Sequence, residues 1–296
     1  MSTPIHAPSS MLFENVLIIG VGLIGGSLGL ALKKKQIVKK VMGVGRSQLN
    51  LDDAMRLGAI DEITTLEEGV PQADLIVICV PVAQTGNILR SIHPLLKSSA
   101  LITDVGSTKM DVVEAAKNAL AEDVAQFVPA HPIAGSAQHG AQAAKHDLFV
   151  HRQVIVCPLQ ENGAARIEKI SHLWSSVGAN LFTMSAIQHD AVFAAVSHLP
   201  HVLSYALMLQ VANAEDAPTK FRHAGAGFRD FTRIAASSPE MWRDICIANR
   251  EAILKELDSY MTVVQHLQCL IKNKDSEGIE KLFSKASQSR NKWELS

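Results

Sequence analysis

Gly20, Gly22 and Gly25 stand at the spacing G-x-G-x-x-G. They follow the apolar run "NVLIIG" (15–20) and open "LIGGSLGLALKKK" (23–35), a stretch with helical spacing and a basic end. In such a strand–turn–helix setting the first glycine permits a tight turn. The second lets a pyrophosphate approach the backbone, and the third lets the helix pack on the strand. The helix start at Leu23 and Ile24 adds unpaired N–H groups and the positive end of the helix dipole. This is the chemistry of dinucleotide binding. Such folds place a carboxylate about twenty residues beyond the glycines to accept hydrogen bonds from the ribose 2′-OH. Here that spacing from Gly25 lands on Gly45 in "VMGVGRSQ" (41–48), followed by Arg46 and Ser47. Glycine removes the repulsion that a carboxylate would exert on a 2′-phosphate, and Arg46 and Ser47 can bond to that phosphate. The stretch predicts NADP, with NAD as the alternative if Arg46 is merely solvated; Asp52 and Asp53 lie too far along to replace the acid.

In a doubly wound sheet the reacting groups lie beyond the carboxyl ends of the strands. Three stretches fall there. "CVPVAQT" (79–85) would pass beneath the cofactor with Val80 and Pro81. "DVGSTK" (104–109) gathers Asp104, Ser107 and Lys109 after a buried strand, and "AHPIAGS" (130–136) sets His131 at a strand end beside Pro132. A histidine there suits a general base for a hydroxyl being oxidised to a carbonyl, and a neighbouring serine can share the same oxygen. Equally, His131 can be read as a structural residue. The later part of the chain adds His198 and His201 in "SHLPH", three apart, with Pro200 suggesting a break in the helix. Arg229, Asp230 and Arg233 form a charged patch in an apolar neighbourhood. A buried arginine there would bind a ligand carboxylate or phosphate; otherwise Asp230 pairs with an arginine and the other is at the surface.

Strands and helices must position these residues. Apolar runs at 15–20, 40–45, 73–81 and 98–107 read as strands, alternating with helices at 23–35, 51–59 and 110–121. That alternation implies an α/β fold with a parallel, Rossmann-type doubly wound sheet. The segments 126–136, 152–158 and 179–184, with a helix around 163–177, extend this first domain. From about residue 186 strands vanish, and long apolar helical stretches imply an all-helical domain. The expected organisation is a flexible tail (1–12), a dinucleotide-binding domain (13–185) and a helical substrate and dimerisation domain (186–296). The helices carry more apolar surface than one small domain needs, so a homodimer is the natural sink.

The 296 residues are 47% hydrophobic and 19% charged, with a net charge of −1. No global field draws nucleic acid or an anionic membrane, and no segment reads as long enough to span a membrane. Cys79, Cys157, Cys246 and Cys269 lie far apart in apolar segments, as buried free thiols in a reducing cytoplasm would. No metal-ligand spacing stands out, and no signal peptide is evident.

Together, "GVGLIGGSLGLALK", "DVGSTK", "HPIAGS", "HDAVFAAVSHLPH" and "GFRDFTRIA…PEMWRDI" resemble the prephenate/arogenate dehydrogenase family of tyrosine biosynthesis, over about residues 15–255. The resemblance implies oxidative decarboxylation of a cyclohexadienol, with hydride transfer to a nicotinamide. It implies that His131 deprotonates the ring hydroxyl and that Ser107 helps hold that hydroxyl and the nicotinamide. Arg233 would bind a substrate carboxylate, His198 would be its orienting neighbour, and His201 would contact the side-chain end. Some prephenate-using relatives carry an acid just after the "HPIAG" turn, where this chain has Ala137 and Gln138. That difference changes how the side-chain end is read but sets no preference; the NADP-type loop and the short, single-function length lean the expectation to arogenate, with some prephenate use. Neither a preceding mutase segment nor an added ligand-sensing domain is expected. The alternatives are an NAD-linked prephenate dehydrogenase, another hydroxyacid dehydrogenase of the same architecture, for which Lys220 is the nearest catalytic lysine, and a non-catalytic NADP sensor.

Overall fold

The computed structural model describes residues 11–135 and 138–294. Most of the expected tail (1–12) and Ala137 therefore lie outside the described residues. The chain forms two compact units, Met1–Arg250 and Glu251–Ser296.

In the first unit, five strands form one parallel sheet: β1 (Phe13–Ile19), β2 (Val38–Val44), β3 (Glu62–Ile63), β4 (Leu75–Ile78) and β5 (Leu101–Asp104), in the order β3-β2-β1-β4-β5. Helices α1 (Leu23–Lys35), α2 (Gln48–Arg56), α3 (Leu66–Gly69), α4 (Val82–Ile92) and α5 (Met110–Leu120) link and flank them. The central strands are apolar without a break because both faces are covered. Val16 and Ile18 of β1 pack into one core layer with Leu28 and Leu32, while Leu17 and Ile19 face the other with Leu89 and Ile92. The strand order reverses between β1 and β4, so the crevice for a ligand opens at their carboxyl ends. β3 is only two residues long and gives too little pattern to be read from sequence.

Segments 152–158 and 179–184 belong to the first unit, as expected, and form a sheet of their own there. β6 (Ala130–Pro132), β7 (Gln153–Val156) and β8 (Asn180–Thr183) make a separate three-stranded sheet. β6 runs antiparallel to β7 and pairs His131 with Ile155, while β8 is parallel to β7. Helix α6 (Ala164–Ser176) contributes the fully buried Trp174, whose ring meets Phe149 edge-on. A bridge from Ile102 to Phe127 ties the chain entering β6 to the first sheet.

The helical part begins with α7 (Ala186–Phe193), capped by Ser185 and Gln188, and continues through a π-helical turn (Ala194–His198) into α8 (Leu199–Ala212). Pro200 does not break this helix. It sits in the first turn of α8, and the preceding π turn absorbs the missing N–H. The two apolar stretches that the proline suggested separating therefore fuse. Contrary to the sequence reading, one helix, Ala186–Ala212, is long and apolar enough to cross a membrane by length and composition. Short helices α9 (Ala217–Arg222) and α10 (Ala226–Thr232) lead to α11 (Pro239–Ala248). The second unit is built from α12 (Arg250–Lys272) and α13 (Ser276–Glu294).

All four cysteines are free thiols, but only Cys157 is buried by surface area; Cys79 and Cys246 are partly covered and Cys269 is exposed on α12. Its helix is amphipathic, and an apolar neighbourhood in sequence did not place Cys269 on the covered face.

Candidate active site

The glycine loop has the backbone its spacing requires. Gly20 adopts φ +97°, and a Cβ there would lie 2.5 Å from the Cys79 carbonyl oxygen. A Cβ on Gly25 would lie 2.3 Å from the Gly20 oxygen and 2.8 Å from Ile18 Cγ2, so α1 packs on β1 only with glycine there. At Gly22 a Cβ would meet nothing within 4 Å. The middle glycine faces open space, as a cradle for a pyrophosphate needs. Gly22 caps α1 without a side-chain bond, and the first turn carries no acid, so the helix start remains available to an anion.

Gly22, Leu23, Ile24 and Gly25 line a cleft of about 440 Å³ together with Val80, Pro81, Ser107 and His131. A second cleft of about 510 Å³ is lined by Ser107, His131, Ser197, His201 and Trp242, among others. Ser107 and His131 line both. The fold thus brings the serine and histidine loops together at the junction of a nucleotide-type cleft and a second chamber. Gly45, Arg46 and Ser47 are exposed beyond the end of β2. Ser47 caps α2, its side chain accepting from Asn50 N at 3.3 Å. Asp52 is bonded by Gln48 and Asp53 by Arg56 and Gln142.

Around His131 the structure builds a buried polar network. His131 Nδ1 lies 2.8 Å from His189 Nε2, and His189 Nδ1 lies 2.8 Å from Asp190 Oδ1. Asp190 accepts the backbone N–H groups of Lys109 and Met110 at 2.8 Å each, one on each oxygen. Lys109 is fully buried, and its Nζ pairs with Asp104, whose other oxygen accepts from Ala130 N at 3.2 Å. Asn249 Nδ2 donates to the Asp190 carbonyl at 2.8 Å and meets His198 Nδ1 at 3.1 Å. The "DVGSTK" loop, β6 and the start of the long helix are therefore locked together by charge and hydrogen bonds.

Burial sets the protonation in this network. It pushes the His131 imidazole well below its usual pKa, helped by His189, Lys109 and His198. His189 is lowered by burial, which its bond to Asp190 only partly offsets. Burial also lowers His198, to about 4, although Asp190 favours its charged form. Burial works to raise the Asp190 carboxyl, but His189 and the two backbone N–H groups outweigh it and hold it below the carboxylate norm. The result is neutral histidines around an ionised Asp190.

His201 donates from Nδ1 to the Ser197 carbonyl at 2.9 Å and stacks on Trp242, with ring centroids 3.6 Å apart. Its pKa is lowered by burial, with Arg233 near enough to contribute. The expectation of a buried arginine fails. Arg229, Asp230 and Arg233 are all exposed, on α10 and the 3₁₀ turn after it, because this short helical segment buries no residue in the chain. Arg233 does not line either cleft. Lys220 is also exposed and pairs with Asp216 at 2.7 Å, away from any role as a buried catalytic lysine. Among the described residues no cluster of three or more metal-ligating side chains occurs. The sequence reading assigned no role to His189, Asp190 or Asn249; the pair "HD" at the start of a long helix was the available signal for the first two.

A parallel sheet with a glycine loop at its switch point, a histidine at the mouth and a helical partner region defines a nucleotide-dependent dehydrogenase. Residues 28–183 match the family model "Prephenate dehydrogenase, nucleotide-binding domain", and 185–285 match "Prephenate dehydrogenase, dimerization domain". The chain is 37% identical to a prephenate dehydrogenase of Bacillus subtilis, over 94% of this chain and 75% of that protein. It is 34% identical to a cyclohexadienyl dehydrogenase of Zymomonas mobilis, over 94% and 95%. The crystal structure of Aquifex aeolicus prephenate dehydrogenase in complex with hydroxyphenyl propionate and NAD+ superposes with a TM-score of 0.88 at 32% identity, covering 94% of this chain and 98% of that one. The chain belongs to the prephenate/arogenate dehydrogenase family of tyrosine biosynthesis.

Proposed function

We propose that this chain is an NADP-preferring dehydrogenase of the cyclohexadienols arogenate and prephenate, acting by oxidative decarboxylation. The observation that carries the reading is that Ser107 and His131 line both clefts and mark their junction. The bound nicotinamide would supply the hydride acceptor. The residues of the first cleft, Gly22 to Gly25 with Val80 and Pro81, hold the nucleotide. The neutral His131 accepts the proton of the ring hydroxyl as the carbinol carbon loses hydride, and Ser107 hydrogen-bonds the same oxygen. Loss of carbon dioxide then makes the ring aromatic. Aromatisation supplies the driving force, so the protein's task is mainly alignment and proton acceptance. His201 stacks on Trp242 where the substrate's side chain would reach the second chamber. Arg233, beside His201, is assigned a substrate carboxylate, and His198 the orientation of the Ser107 loop.

NADP is preferred in this reading because Gly45 offers no carboxylate, while Arg46 and the capped start of α2 offer a cation and a helix dipole. The domain division at 185/186, a homodimer formed through the helical region and a cytoplasmic setting complete the proposal. The test is a two-by-two assay of arogenate or prephenate with NADP or NAD. Turnover with NADP is expected for both substrates. No turnover in any combination overturns the reading, and a preference for NAD overturns the cofactor assignment alone.

A further inference from the structure

With Asp190 ionised and His189 neutral, the hydrogen bonds around His131 run in one direction. Asp190 is ionised and can only accept, and it takes two backbone N–H groups as well as His189 Nδ1. His189 Nδ1 therefore carries a proton. A neutral His189 then has a bare Nε2, which can only accept. The atom 2.8 Å from it is His131 Nδ1, which must donate. A neutral His131 so fixed carries its proton on Nδ1 and presents an unprotonated Nε2, on a side chain that lines both clefts.

We infer that His189 and Asp190 are positioning residues that lock His131 in its Nδ1–H form, so that Nε2 is the base offered to the substrate hydroxyl. The catalytic part of this inference rests on the function proposed above; the tautomer assignment does not. In the reaction the hydroxyl O–H bond breaks and an Nε2–H bond forms on His131, while the electron pair of the carbinol C–H bond leaves as hydride to the nicotinamide. The resulting imidazolium keeps its Nδ1–H bond to His189, and the Asp190 carboxylate lies one imidazole further along to offset the charge. Asp190 is itself held by the first N–H groups of α5, so a helix start, rather than a flexible side chain, sets the direction of the whole chain of bonds. The arrangement spans three separate parts of the sequence, with His131 58 residues from His189 and Lys109 81 residues from Asp190.

A wrongly protonated histidine base loses up to about 10⁴-fold in turnover. Two measurements test the inference. In protein carrying ¹⁵N-labelled histidine and no substrate, two-bond ¹H–¹⁵N correlation spectra should show His131, identified by its loss in His131→Gln, with its proton on Nδ1. A proton on Nε2 overturns the assignment. In the second measurement, His189→Leu removes the acceptor and His189→Gln retains one. His189→Leu should lower kcat at least a hundredfold with KM for substrate and nucleotide changed less than about threefold, and His189→Gln should recover at least tenfold of that loss. Equal losses in both variants, or a loss confined to KM, overturn the positioning role. If neither cyclohexadienol is turned over by the wild type, the functional reading fails while the spectrum still decides the tautomer.

Discussion

At the scale of single residues, two side chains carry the proposed chemistry. Arg46 is exposed and follows Gly45, which stands where a ribose-reading acid would otherwise be. Arg46→Ala should raise KM for NADP about tenfold or more and leave KM for NAD nearly unchanged, which steady-state kinetics with the two cofactors would show. His131 is the proposed proton acceptor, and His131→Ala should lower kcat by roughly 10²–10⁴-fold without loss of nucleotide binding. Its pH dependence has a definite sign. Burial, His189, Lys109 and His198 all disfavour the imidazolium, so His131 stays neutral down to well below pH 6.5. Activity should therefore persist as pH falls through 6.5 and decline only further down, when Nε2 takes a proton and ceases to be a base. A kcat/KM profile with its acid limb at or above 6.5 would contradict this. The glycines, Ser107 and His131 were legible in the sequence because each is set by a local motif. His189, Asp190 and Asn249 were not, because their roles arise from partners 51 to 81 residues away that only the folded chain brings into hydrogen-bond distance.

At the scale of elements, the three glycines do different physical work, and their variants should separate folding from binding. Gly25 is fixed by packing. An added methyl meets the backbone oxygen of Gly20 and the side chain of Ile18, so Gly25→Ala should destabilise the fold by about 1–3 kcal/mol, seen as a lower thermal midpoint. Gly22 faces open space, so Gly22→Ala should melt like the wild type yet bind the nucleotide several-fold more weakly, as calorimetric titration would report. Similar melting of both variants with equal loss of binding would contradict this division. The parallel sheet was readable because buried strands leave unbroken apolar runs. The runs at 152–158 and 179–184 were readable as part of the first domain, but that they form a sheet of their own was not, because apolar runs carry no mark of which neighbour they pair with and strand direction is decided by tertiary contacts. Pro200 misled for a related reason. A proline breaks a helix in its interior, but here a π turn before it converts the position into a helix start.

At the scale of the whole molecule, the apolar surface left on the helices calls for a partner. Ile187, Val192, Val196 and Leu209 are exposed along Ala186–Ala212, and only 28% of the most apolar window of that helix is buried. Length and hydropathy alone would allow a membrane span, but His189, Asp190 and His198 on the same helix are buried and bonded to the α5 start and to Asn249, within the first unit. The match of residues 185–285 to a dimerization domain gives the apolar face a different use. A second copy would cover it and remove large side chains from water at roughly 25 cal/mol per Å² of apolar area. Sedimentation equilibrium should therefore give about twice the chain mass of 32.0 kDa in the absence of detergent. Leu209→Glu places a charge on this face without touching either cleft, so it should shift the species toward the monomer while the circular dichroism spectrum stays helical. A wild-type monomer at micromolar concentration, or a Leu209→Glu variant that sediments unchanged alongside an equivalent change at Val196, would show that this helix face is not the contact.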